Sequence, residues 1–186
     1  MSNTSQEEST PTTATVAIKI RDLTGPLLDL AVARAHPEYK TLDPFIVTDY
    51  TLKECIVIRD GCLRVPVNPS SDIGGAMDLF LKDQAMLNMA PDITYCPRAS
   101  EDQEHADPGF WSACAWHPIE KETDPEDGRA ERVLISYYSV VTDKQGKLVR
   151  TITLPEMLCQ LYVRLNTVGD YVLLPATEVA KMENQK

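Results

Sequence analysis

The segment Asn68-Pro69-Ser70-Ser71-Asp72-Ile73-Gly74-Gly75-Ala76-Met77 constrains this chain more than any other, because it writes a turn followed at once by a helix start. Pro69 fixes its own φ and bars helix behind it, while Ser71 or Asp72 can accept a bond from the unpaired N–H groups of the first helical turn. Gly74 and Gly75 leave those groups uncovered. A helix start this bare can receive an anion or pack closely against another backbone. Ser70, Ser71, Asp72, Gly74 and Gly75 are therefore the candidate ligand-binding residues, with plain helix capping as the competing explanation.

From this start the spacing predicts a helix over 72–88, with Ile73, Ala76, Met77, Phe80, Leu81 and Leu87 on one stripe and Pro91 as its stop. A second helix is predicted over 24–34, where Pro26 suits the first turn and Pro37 ends the run. Its apolar residues are Leu27, Leu28, Leu30, Ala31, Val32 and Ala35. Thr153 and Pro155 open a third over 154–165, whose face is Leu154, Met157, Leu158, Leu161, Tyr162 and Leu165. Alternating or β-branched runs predict strands over 16–20, 45–47, 55–59, 63–67, 110–116, 133–141, 148–152 and 171–174, and a weak one from Tyr95. Asp60-Gly61 is a tight-turn signal between two of them. The expected fold class is α+β, an antiparallel sheet with about three helices packed on it.

Residues 1–14 lack the apolar surface to offset their ordering entropy and read as a disordered tail. A single domain over 15–176 follows, with polar, acidic insertions near 98–109 and 118–132 and a tail or marginal helix over 177–186. An apolar content of 43% in 186 residues is enough for a real core. With 28 acidic against 18 basic residues the net charge is −10, and no cluster of Lys and Arg occurs, so direct nucleic-acid binding is not expected. Within the insertions Glu101, Asp102, Glu104, Asp124, Glu126 and Asp127 are the candidate partner-binding residues, facing a basic surface on another protein; solvated loops are the plain alternative. No basic n-region with an apolar core opens the chain and no apolar run reaches membrane-spanning length, so an intracellular protein without a membrane segment is expected. The 5 cysteines form no C-x-x-C pair, which argues against a disulfide framework or zinc ribbon.

Three ordered segments carry a family resemblance. They are Ile18-Lys19-Ile20-Arg21-Asp22-Leu23-Thr24-Gly25-Pro26-Leu27-Leu28-Asp29-Leu30-Ala31-Val32-Ala33, the helix start at 68–75, and Thr153-Leu154-Pro155-Glu156-Met157-Leu158 continuing to Gly169-Asp170-Tyr171-Val172-Leu173-Leu174-Pro175. Together they resemble the small bacteriophage proteins of unknown function called NinX-type and the related phage ABA-sandwich family. The chain departs from that pattern in its two insertions, in Leu30 and Ile73 where Trp is frequent, and in Gln160 or Leu161 where Arg is frequent. The resemblance implies phage or prophage origin and brings no catalytic residue.

Cys114 and His117, with Cys96 and His105, have the residue types of a zinc site, but Cys114 and His117 point to opposite faces of a strand, so no metal site is expected. His36, beside Pro37, is accounted for by the partial negative charge at a helix end. No nucleophile elbow, P-loop or dinucleotide fingerprint is present, and no cofactor is expected. Trp111 and Trp116 also fall on opposite faces; one belongs to the core, and the other, with Tyr137 or Tyr138, offers a stacking surface that would complete a nucleotide pocket with the Ser70–Gly75 helix start. The expected function is a non-enzymatic accessory protein that binds a host protein in the bacterial cytoplasm and interferes with a defence or regulatory component. The alternative is capture of a nucleotide-like small molecule, the next an acidic DNA mimic; a hydrolase comes last, for want of a general base or metal set. The 133–141 strand edge makes a homo-oligomer natural.

Overall fold

The computed structural model describes residues 14–48, 53–82, 91–96, 110–123, 130–142 and 148–183. In chain order these form β1 (Thr15–Lys19), α1 (Gly25–Ala35), β2 (Phe45–Thr48), β3 (Lys53–Arg59), β4 (Leu63–Val67), α2 (Ile73–Lys82), β5 (Asp92–Cys96), β6 (Phe110–Thr123), β7 (Ala130–Tyr138), β8 (Val140–Thr142), β9 (Leu148–Thr151), α3 (Leu154–Leu165), β10 (Tyr171–Pro175) and α4 (Ala176–Glu183). Short 3-10 turns lie at Ile20–Asp22, Tyr39–Leu42 and Pro69–Ser71. The class is α+β, and among the described residues every strand pair is antiparallel. Among the described residues the strands divide into four short sheets, β1–β10, β2–β3–β4, β5–β6–β7 and β8–β9, instead of running in one.

The central element is α3. Its start is fixed locally: Thr153 Oγ1 accepts from Glu156 N at 3.3 Å and Glu156 Oε2 accepts from Thr153 N at 2.9 Å, a reciprocal capping box. The apolar face read from the sequence is buried from Met157 onward, and Cys159, Gln160 and Val163 are buried as well, because α3 packs on α1 and α2 and also on β6 and β7. Gln160 is tolerated in that interior because its Nε2 donates to Leu23 O at 2.9 Å, satisfying a carbonyl beside the Ile20–Asp22 turn.

In α2 the buried residues are Ala76, Leu79 and Phe80, whereas Ile73 and Leu81 are exposed. The core stripe is thus rotated from the expected one. Phe80 meets the Tyr162 ring edge-on at 5.6 Å, and Ala76 and Leu79 share its face at i, i+3, i+4 spacing. The remainder of the helix expected over 72–88 lies outside the described residues.

One expectation at the polar margins is corrected. The segment 118–132, read as an insertion, is largely strand: β6 runs on to Thr123 and β7 begins at Ala130, with a register shift between Pro118 and Thr123. A run of mostly charged residues gives no hydrophobic alternation to reveal such a ribbon. The 177–186 segment, read as a tail or marginal helix, contains most of α4, with Glu178 and Val179 buried. Glu178 Oε2 accepts the Ile46 N–H at 2.6 Å and Lys181 Nζ donates to Ile46 O at 2.9 Å, so two side chains close the open edge of β2.

Between β7 and β8, Ser139 passes the chain from one sheet to another. Its N–H donates to Trp111 O at 2.8 Å, its Oγ accepts from Trp111 N at 2.8 Å, and its carbonyl accepts from Ile152 N at 2.8 Å. The other segments of the sequence reading, 98–109 and the acidic residues Glu101, Asp102, Glu104, Asp124, Glu126 and Asp127, lie outside the described residues. Among those that are described, no helix is long and apolar enough to cross a membrane.

Candidate functional site

The Pro69–Ser71 turn is held from beneath. Asp29, buried on α1, accepts the Ser70 N–H at 2.9 Å, and Ser71 Oγ donates to Asn68 O at 2.8 Å. Burial pushes the Asp29 carboxyl up to about 6; hydrogen bonds from Ser70 oppose this and the Glu156 charge adds to it. Asp72 caps α2: its Oδ2 accepts from Gly75 N at 2.7 Å. The helix start is therefore not bare. A Cβ at Gly74 would meet Asp72 Oδ2 at 3.2 Å, so the carboxylate lies where an incoming anion would sit. Gly75 faces the Pro69 backbone, with 3.5 Å from a built Cβ to Pro69 Cα.

Next to this turn opens a cleft of about 480 Å³ between the end of α1, the Tyr39–Leu42 turn, the β3–β4 hairpin and α2. Val67, Leu79 and the buried His36 ring contribute to its lining. His36 sits at the helix end as the sequence suggested, but its ring is turned inward, 4.7 Å from the Tyr39 ring and 6.2 Å from that of Tyr162, and its Nδ1 accepts from Glu38 N at 3.3 Å. On one wall the Arg59 guanidinium lies 6.0 Å from the Tyr39 ring centroid and pairs with Glu38. On the other, Lys82 Nζ pairs with Asp78 Oδ2 at 2.5 Å, one helical turn away. That contact raises the Lys82 pKa, and the Tyr39 and Glu38 charges act in the same direction. Asn68, Asp72 and Gly75 complete the wall next to the turn.

Of the candidate residues, Asp72 and Gly75 line this cleft, whereas Trp111 and Trp116 do not. Trp111 shares the core-facing side of β6 with the buried Ala113 and Ala115, but at the sheet's end, 39% exposed and 5.1 Å from the Tyr95 ring. Trp116 projects from the opposite side, 54% exposed, across from Leu134. Neither is a core residue. Tyr137 fills the core instead, and Tyr138 meets Phe110 at 6.0 Å on the outer side. Cys96 and Cys114 pair with different neighbours on β5 and β6, and among the described residues no group of three or more metal-binding side chains converges.

The comparisons with known proteins add no relative: no family model, curated protein or solved structure matches the chain. Sequence reasoning missed Tyr39, Arg59 and Lys82 as site residues. Arg59 and Glu38 are 21 positions apart and meet only because the hairpin returns β3 to the end of α1. The available signal was weak, an aromatic residue three positions after a histidine that ends a helix.

Proposed function

We propose that this chain is a binding protein that captures a small, nucleotide-like molecule in the cleft beside the α2 start. The observation that carries this reading is the cleft itself, which sets an aromatic ring, two cations and a carboxylate-capped helix start around one space of about 480 Å³. Small-molecule sites typically enclose roughly 300–1,000 Å³ and combine apolar lining with a few oriented polar groups. Capture, as opposed to turnover, fits the state of the acids: Glu38 and Asp78 are each paired with a cation at partly exposed positions, and Asp72 caps a helix. A general base is better served by a desolvated, unpaired group. The resemblance to phage proteins supports a setting in the host bacterial cytoplasm, where sequestering a signal would blunt a defence or regulatory component.

Thermal unfolding with a panel of linear and cyclic nucleotides tests the reading. A ligand at a hundredfold excess over its Kd should stabilise by about 2.7 kcal/mol. No shift with any member, at millimolar concentration, would reject capture; a shift accompanied by a chemically altered ligand would replace capture with catalysis.

A second reading, docking to a host protein, is favoured by the outer face of the β5–β6–β7 sheet. Trp116, Leu134 and Tyr138 are exposed there on one side. Retention of a lysate protein that survives high salt and is lost on Trp116→Ser with Leu134→Ser would support an apolar contact at that face. Retention unchanged by those substitutions would exclude it.

A further inference from the structure

We infer that the cleft imposes a fixed polarity on its occupant: a phosphate end lies between Lys82 and Arg59, and an end rich in hydrogen-bond donors lies against Asp72 and Asn68. This rests on the capture reading and names the chemical class it favours, a phosphomonoester of a hydroxyl- or amine-bearing base or sugar.

Both cations at the first end are engaged by carboxylates that are easily exchanged. In the Lys82–Asp78 pair the side chains are 70% and 48% exposed, and in the Arg59–Glu38 pair 38% and 55%. Exposed pairs of this kind contribute little, so a phosphate with close to two negative charges competes well against single carboxylates. Arg59 also presents the planar donor fork that suits phosphate oxygens, held against the Tyr39 ring.

The other end has the opposite character. Asp72 spends one oxygen on Gly75 N and forms no ion pair among the described residues. A carboxylate retains further acceptor sites and the Asn68 side chain offers both donors and an acceptor. A phosphate placed at this end would meet the Asp72 charge, whereas hydroxyl or amino groups would find acceptors. Polarity thus comes from repulsion at one end as much as from attraction at the other.

Calorimetric titration of adenosine and guanosine 5′-monophosphates, their nucleosides and inorganic phosphate into the wild type, Lys82→Gln, Asp78→Asn and Asp72→Asn tests this. Lys82→Gln should weaken the monophosphates by about 3–10-fold and leave the nucleosides unchanged, and Asp78→Asn should tighten the monophosphates by about 2–5-fold. Asp72→Asn should weaken nucleoside and monophosphate alike. Binding in which Lys82→Gln and Asp78→Asn move nucleosides as much as monophosphates, or move neither, overturns the polarity while leaving capture intact. Silence of every probe on every protein overturns the polarity, and silence of the wider linear and cyclic panel in thermal unfolding is what overturns capture. All three substituted side chains line the surface of the cleft, and an unchanged Tm without ligand shows that each variant is folded.

Discussion

Asp29 and Ser70 are 41 positions apart, yet the Asp29 carboxylate receives the Ser70 N–H at 2.9 Å within the protein interior. The bond ties the turn beside the cleft to α1, and it does so with a group that burial disfavours in its charged form.

The pH dependence of stability should carry the mark of that group. The folded-state pKa of about 6 lies above the ordinary 3.8, so between these values the folded protein holds a proton that the unfolded chain has released. The contribution of Asp29 to stability is therefore greatest below pH 3.8, declines as pH rises to about 6, and is constant above. The decline amounts to about 3 kcal/mol. Asp29→Asn keeps an acceptor for Ser70 and cannot titrate, so the stability of the variant relative to wild type should rise by that order from pH 4 to pH 7. Urea unfolding of both proteins across this range measures the difference; a constant difference would show that Asp29 does not titrate there.

Closing the β2 edge depends on Glu178. Glu178→Ala leaves the Ile46 N–H and the Lys181 ammonium without their carboxylate partner, which should cost about 1–3 kcal/mol in denaturant unfolding. Hydrogen exchange should speed at the Ile46 amide specifically, and Glu178→Gln should restore most of the protection. Unaltered exchange at Ile46 in the alanine variant would contradict the side-chain closure.

Gly75 is not required by its backbone conformation. A Cβ there makes only ordinary contacts, 3.4 Å to Asp72 Oδ2 and 3.5 Å to Pro69 Cα. Gly75→Ala should therefore raise stability by a few tenths to about 1 kcal/mol through helix propensity. Gly74→Ala should gain less, because the Asp72 carboxylate at 3.2 Å must give way. Removing the cap with Asp72→Ala should lower stability by about 1 kcal/mol. Melting temperatures of the three variants check the order.

The thiols should react in sequence. Burial pushes the Cys55 thiol up to about 12 and raises Cys159 as well, while Cys62 is exposed in the β3–β4 turn. A thiol reagent at pH 8 should modify Cys62 first and reach Cys55 and Cys159 only on unfolding, as read by peptide mass spectrometry. Early labelling of Cys159 would mean that α3 is less well covered than the structure shows.

Features set by neighbouring residues were legible in the sequence. Thr153, Pro155 and Glu156 mark the α3 start because capping is local, and Asp60-Gly61 marks the β3–β4 turn because both residues take positive φ, 51° and 75°. What depends on distant partners was not. Asp29 looks like a polar spacer in an apolar helix, and only the fold brings the Ser70 N–H to it. The part of the β6–β7 ribbon beyond the strands expected over 110–116 and 133–141 is too charged to show alternation, and α4 is so short and polar that it reads only as a marginal helix until Glu178 and Lys181 find Ile46. The cleft shares this origin: Asp72 and Gly75 were found from the helix start, whereas Tyr39, Arg59 and Lys82 come together from three separate elements.

The three bonds made by Ser139 bear on how this chain can vary in length. One residue serves two sheets there, and the side-chain period of a strand is two residues, so its register is sensitive to a change of one. Insertion or deletion of a single residue at that point would shift the backbone pairing of β8 by one residue while leaving β7 in place. Length changes should consequently be accepted at hairpin tips and rejected at this junction, so a scan of single-codon insertions would single out position 139 as a fixed joint.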